Sequence, residues 1–210
     1  MGNKMIDKNW GLEVDEEKKQ AAIASDDGDS DSENRVSSSN NRIYFYSEVN
    51  RTKVLSLNKN IQTIGMKLQN HANSLCIPTP EIYLHINSYG GSVFAGMAAV
   101  DYIRKSPSGV VTVIDGCAAS AATLMSVVGK RRLINEHSFM LIHQLSTAMW
   151  GKFEDLKDDM KNNELLMKVI KGIYEEHTKI PKKELSKILK HDLWWDAKTC
   201  LKYGLVDEII

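Results

Sequence analysis

Apolar positions along the 210-residue chain fall into short runs separated by stretches with helical spacing. IYFY (43–46), EIYLHI (81–86) and VVTVI (110–114) have the length and the β-branched or aromatic content of strands. RRLI (131–134) and SFMLI (138–142) predict two shorter strands, and VDEII closes the chain as another. Helical spacing occupies 53–69, 91–105, 119–128 and about 153–177, with further helices after Pro181 and over 197–203. IPTP (77–80), Pro107, Gly109 and Gly204 punctuate these elements. Strands alternating with helices predict an α/β domain with a substantially parallel sheet. No internal repeat is visible.

Ahead of this domain the pattern fails. Residues 24–41 (ASDDGDSDSENRVSSSNN) hold too few apolar groups to offset the entropy of ordering them. We therefore expect a disordered acidic extension over 1–41, with a short helix of unknown purpose within 1–23, and a folded domain over 42–210. Formal net charge is zero, but residues 1–41 carry five Lys/Arg against ten Asp/Glu. The remaining part is therefore net positive by five. Nothing in this balance points to nucleic acid or an anionic membrane as partner. Asp27, Asp29 and Asp31 imitate the start of a calcium loop, but Ser32 and Ser38 stand where its glycine and glutamate belong.

Two further features narrow the class. The stretch 110–129 (VVTVIDGCAASAATLMSVVG) is as long as a membrane span, yet Asp115 would cost about 2.5–3.5 kcal/mol at mid-bilayer. Its many small residues add little apolar transfer energy, so we read it as strand, tight turn and buried helix. Cys76, Cys117 and Cys200 are odd in number and lack metal spacing, which argues against a disulfide framework or a zinc site. A reducing compartment fits better.

Three segments carry candidate chemistry. NSYGGSV (87–93) runs from a strand through two glycines into a helix, which allows a sharp turn and close approach of a ligand to backbone N–H groups. DGCAASAAT (115–123) places a serine among alanines between a strand and a helix, where a peptide carbonyl could reach the hydroxyl. FMLIHQ (139–144) ends an apolar strand on a histidine. Each alone reads first as an ordinary turn, a tight small-residue contact or a structural histidine.

In the order SYGGSV, GCAASAA, MLIHQ, a long helix and HDLWWDAKTCLKYGLVDEI, the chain resembles the Clp protease proteolytic subunit (ClpP) family of serine peptidases. The resemblance runs from about Ile43 to the C-terminus. It implies a ClpP/crotonase-like α/β fold with a projecting handle helix. It also implies Ser120 as nucleophile, His143 as base, Asp192 as the carboxylate that orients it, and the N–H groups of Gly91 and Ala121 as oxyanion hole. Metal and cofactor are not called for. Peptides or unfolded polypeptides would be the substrates of this endopeptidase, delivered by an AAA+ unfoldase of the ClpX or ClpA type. The resemblance further implies a cytoplasmic homo-oligomer of two stacked heptameric rings. The family also includes inactive structural subunits that lose triad residues, which is the alternative reading. Hydratases of the same fold class act through carboxylates and lack the Ser/His pair.

The residues agree with this placement chemically. A serine needs a base to take its proton, and a histidine serves when a carboxylate holds its ring in one tautomer. Asp115 should point away on its strand, Asp155, Asp158 and Asp159 read as solvated, and Asp196 reads as the N-cap of the helix at Ala197. Departures from the family pattern are Tyr89 in place of proline and Leu145 in place of the proline after IHQ. Ser146, Thr147 and Ala148 replace a Gly-rich stretch, and the interval between Ser120 and His143 is about two residues shorter. Where the unfoldase docks in the family, Tyr83 keeps an aromatic, but His85 and Lys105 replace apolar side chains. The apolar residues of 153–177, among them Phe153, Met160, Leu165, Val169 and Ile170, predict a face buried between subunits. Asp158, Asn162 and Lys171 should face water or the chamber.

Overall fold

The computed structural model describes residues 36–210. The short helix within 1–23, most of the acidic extension and the Asp27–Asp31 motif lie outside the described residues. The strands are β1 (Ser37–Ser39), β2 (Arg42–Tyr46), β3 (Ile82–Ser88), β4 (Val110–Ala119), β5 (Arg131–Ile134), β6 (Phe139–Leu141), β7 (Trp194–Asp196) and β8 (Glu208–Ile209). The helices are α1 (Arg51–Leu75), α2 (Val93–Lys105), α3 (Ala121–Val127), α4 (Phe153–His177), α5 (Lys182–Ile188) and α6 (Ala197–Lys202).

The sheet runs β1-β2-β3-β4-β5-β8, with β2 through β8 parallel in that order and β1 antiparallel at the edge. This is the α/β architecture with a largely parallel sheet that the alternating pattern predicts. Its first strand departs from the expected start at Arg42, because Ser37–Ser39 pair with Tyr44–Arg42. Backbone pairing at an edge needs no apolar side chain, so three exposed serines serve.

Helices cover one face of the sheet. Ile82, Leu84 and Ile86 of β3 point into that layer, where Val54, Leu57 and Ile61 of α1 and Ala99 and Ile103 of α2 meet them. The alternate residues Tyr83 and His85 lie half-buried on the other face, beside a small cluster of Val111, Val113 and Leu133. Such one-sided burial is what an alternating strand requires.

β4 is longer than the expected 110–114. Its register against β3 shifts between Ile86 and Ser88, and Gly116 takes φ +76°. The strand bends there, so that Val111–Ile114 pair with β5 and Cys117–Ala119 pair with β6. A glycine read from sequence as a turn is thus an irregularity within a strand. The bend sends the end of β4 toward β6 and β7, the margin on which the candidate site is built.

Handle helix α4 spans 25 residues, of which only Ile170 and Tyr174, in its last two turns, are buried. Phe153, Met160, Leu165 and Val169 are exposed, as are Asp158 and Asn162, while Lys171 is half-buried. Among the described residues, no helix is long and apolar enough to cross a membrane.

Candidate active site

Ser120 sits at the corner between β4 and α3 with φ 54° and ψ −126°, the geometry of the first central residue of a II′ turn. A non-glycine residue there is uncommon and persists only where its surroundings impose it. Those surroundings are specific. The Ser120 N–H donates to Leu141 O at 2.9 Å, and Ser120 O accepts from Thr123 N at 3.0 Å and Thr123 Oγ1 at 2.6 Å. Thr123 Oγ1, its proton committed to Ser120 O, accepts from the Tyr174 hydroxyl at 2.6 Å. Burial pushes the Tyr174 phenol well above its ordinary range, so it stays a donor. The handle helix therefore anchors the serine corner through two hydroxyls. The Ser120 side chain itself makes no capping bond to α3.

The glycine pair lies against this corner. Gly90 has φ +99°, and a Cβ there would stand 2.7 Å from both Ala119 O and Ser120 Cβ. Gly91 has φ +140°, and a Cβ there would meet Val49 O at 2.5 Å. The turn is pinned to Val49 by Val49 N→Gly90 O and Ser92 N→Val49 O, each 2.7 Å. Neither Gly91 N–H nor Ala121 N–H has a partner among the described residues. Two unoccupied amides thus flank the serine.

His143 and Asp192 meet through a strand register. β6 and β7 pair antiparallel as Phe139↔Asp196, Met140↔Trp195 and Leu141↔Trp194. Continued by two residues, that register sets His143 opposite Asp192 on the side-chain face of Leu141 and Trp194. The contact is His143 Nδ1 to Asp192 Oδ1 at 3.3 Å, an ion-pair distance. The histidine side chain is 20% exposed and the aspartate 78%. At such exposure the pair orients the ring more than it adds stability.

Ser120, Ala121, Gly91 and His143 line one cavity of about 260 Å³, with Val93, Leu124, Ile170 and Tyr174 giving it an apolar wall. Asp192 lies behind His143 and outside that lining. Among the described residues, no hydrogen bond joins Ser120 Oγ to His143; such bonds are often long until substrate is bound. All of these groups stand at or beyond the carboxyl ends of β3, β4 and β6, where open parallel sheets place their ligands.

The other carboxylates are occupied elsewhere. Asp115 sits on the outer sheet face, bound by Tyr46 at 2.6 Å, His85 at 2.8 Å and Asn135 at 2.6 Å. Burial pushes its carboxyl up, but the bonds from His85, Tyr46 and Asn135 outweigh that and hold it below the ordinary value. Asp196 accepts from Thr199 N at 2.8 Å as N-cap of α6, and Asp155 accepts from Lys152 N at 3.1 Å. No local pattern marks Thr123 or Tyr174, 51 residues apart, as supports of the serine corner.

Fold and site together define an α/β protein that gathers a serine corner, two free amides and a His–Asp pair at its strand ends. The family described as Clp protease matches residues 37–210, and the chain belongs to it. It is 33% identical over 135 residues to an ATP-dependent Clp protease proteolytic subunit of Deinococcus radiodurans, covering 63% of this chain and 66% of that protein. To the subunit of the same name from Streptococcus mutans it is 36% identical over 136 residues, covering 63% and 69%. To proteolytic subunit 2 of Corynebacterium glutamicum it is 31% identical over 166 residues, covering 73% and 83%. In three dimensions it matches a ClpP1 point mutant from Listeria monocytogenes with TM-score 0.71 and 22% identity. That match covers 81% of this chain and 91% of that one.

Proposed function

We propose that the chain is a serine endopeptidase, the proteolytic subunit of an ATP-dependent Clp-type protease. The observation that carries this reading is the convergence on one cavity of Ser120, His143 and the unpartnered N–H groups of Gly91 and Ala121. Family membership supports the reaction class.

In this mechanism His143 Nε2 takes the proton of Ser120 as Oγ bonds to the scissile carbonyl carbon. The carbonyl oxygen becomes an oxyanion, which the Gly91 and Ala121 N–H groups stabilise. Asp192, at Nδ1, fixes the tautomer that leaves Nε2 free and stabilises the imidazolium. The C–N bond then breaks, and His143 returns the proton to the departing amine. Water repeats the sequence on the acyl-serine, releasing the second peptide and restoring the hydroxyl. Nucleophile, base and oxyanion donors are all groups of the chain, so the steps call for no metal or cofactor.

The names of the relatives, with the exposed apolar residues of α4, support assembly of subunits, which in this reading stack as rings that enclose the sites. The words ATP-dependent in those names support an ATPase partner, which in this reading is an AAA+ unfoldase that supplies unfolded chain in the cytoplasm. The test is hydrolysis of a small fluorogenic peptide by purified protein, with and without a fluorophosphonate. Cleavage that the reagent abolishes is expected. Assembly without any cleavage would instead mark an inactive structural subunit.

A further inference from the structure

Two segments of the proposed site are far apart in sequence, and each is held chiefly by its own backbone partners, Val49 for one and β6 for the other. The turn 89–91 is hydrogen-bonded to Val49 and, through the Gly90 N–H, to Ser88 Oγ at 3.1 Å, and it leaves the Gly91 N–H facing the cavity side of the turn without a partner among the described residues. The segment around Asp192 joins the site through the β6–β7 pairing and the 3.3 Å contact of Asp192 to His143. One contact links them directly. The Tyr89 ring meets the Trp194 ring edge to face, with centroids 6.3 Å apart and planes at 84°. This is a favoured aromatic geometry. It joins two side chains that remain 74% and 45% exposed. Tyr89 directly precedes the glycine pair and lines the Ser120 cavity. Trp194 opposes Leu141 in the register that brings Asp192 to His143.

We infer that Tyr89 and Trp194 form an aromatic clasp that holds the Gly91 amide in alignment with the His143–Asp192 pair. Both are positioning residues; neither exchanges a proton nor bonds to the reacting atoms. The inference rests on the serine peptidase reading. It assigns the contact a role in the transition state, because the distance from the Gly91 N–H to the oxyanion depends on where the turn stands relative to His143.

The experiment uses the full chain and four variants: Tyr89→Ala, Tyr89→Phe, Trp194→Ala and the double alanine. Peptide kcat and KM are measured together with the rate at which a fluorophosphonate labels Ser120. Both side chains are solvent-facing, so thermal unfolding should match the parent. The expected result is a loss of about tenfold in kcat and in labelling rate for each alanine variant, with KM nearly constant. Tyr89→Phe, which keeps the ring, should stay within about twofold of the parent, and the double variant should be no slower than either single one. Parent-like labelling of Tyr89→Ala overturns the clasp, as do losses that multiply in the double variant. A raised KM with unchanged kcat also overturns it, since Tyr89 would then bind substrate. If the parent chain cleaves no peptide and takes no label, the peptidase reading fails first and the clasp with it.

Discussion

The Ser120 half of the cleft is built from buried backbone, whereas the His143 half hangs from two short strands at the margin of the sheet. Around Ser120, Ala119, Ala121 and Ala122 are buried, Gly90 leaves no room for a side chain, and Thr123 and Tyr174 hold the corner from below. Around His143 the picture reverses. Asp192 is largely in solvent, and residues 145–150 have no regular secondary structure. Trp150 and Phe153 are exposed nearby. The first half is complete within one chain. The second has the exposed apolar surface that a neighbouring subunit would cover, so its alignment should depend on assembly.

The largest effect should come from damaging the rigid half. Gly90→Ala puts a Cβ 2.7 Å from Ala119 O at a φ of +99°. We expect at least about 3 kcal/mol of destabilisation and loss of peptide cleavage. Denaturant unfolding of the variant checks this, and a stable, active protein would show that the corner is not tightly packed. The next effect should come from removing neighbours from the loose half. Specific activity should fall steeply when the protein is diluted below its assembly concentration, while folding persists. Light scattering and activity measured across the same dilution test this. A strict monomer with full activity would remove assembly from the account.

A smaller effect isolates the support beneath the serine. Thr123→Val keeps shape but leaves Ser120 O and the Tyr174 hydroxyl without their shared partner. We expect a cost of about 1–3 kcal/mol and a severalfold slower fluorophosphonate reaction. Unchanged stability and labelling would mean the two hydroxyls merely fill space.

The smallest lies far from the cleft, on the outer sheet face. Asp115 has a folded-state pKa below its unfolded value, so its contribution is present above about pH 4 and lost as pH falls through the folded value. Asp115→Asn should therefore be less stable than the parent at neutral pH, by about 1–3 kcal/mol. The gap should close in acid, with peptide cleavage at neutral pH largely retained. A gap that stays constant from pH 7 to pH 3 would assign the loss to packing.

Legibility followed the same division. Strands β2, β3 and β5 and helices α1, α2 and α4 were readable because periodicity and punctuation agree locally. In SYGGSV and AAS, glycines and small residues mark places where backbone must approach closely, whereas IHQ stood out only through its place in the ordered family resemblance. What sequence hid was pairing between distant segments. The short strand Trp194–Asp196 has no alternating pattern of its own, yet its register with β6 brings Asp192 to His143. The serine strand β1 is likewise made by backbone alone. The tie from Tyr174 to Thr123 joins a handle helix to the corner after Ser120, and no local pattern announces it.

The central claim is that Ser120 performs the chemistry. Peptide mapping by mass spectrometry after fluorophosphonate treatment of the assembled protein tests it most directly. The account predicts a single adduct on Ser120, formed in step with loss of peptide cleavage, and neither adduct nor cleavage in Ser120→Ala. Cleavage that survives in Ser120→Ala, or an inactivating adduct on another residue, would contradict it.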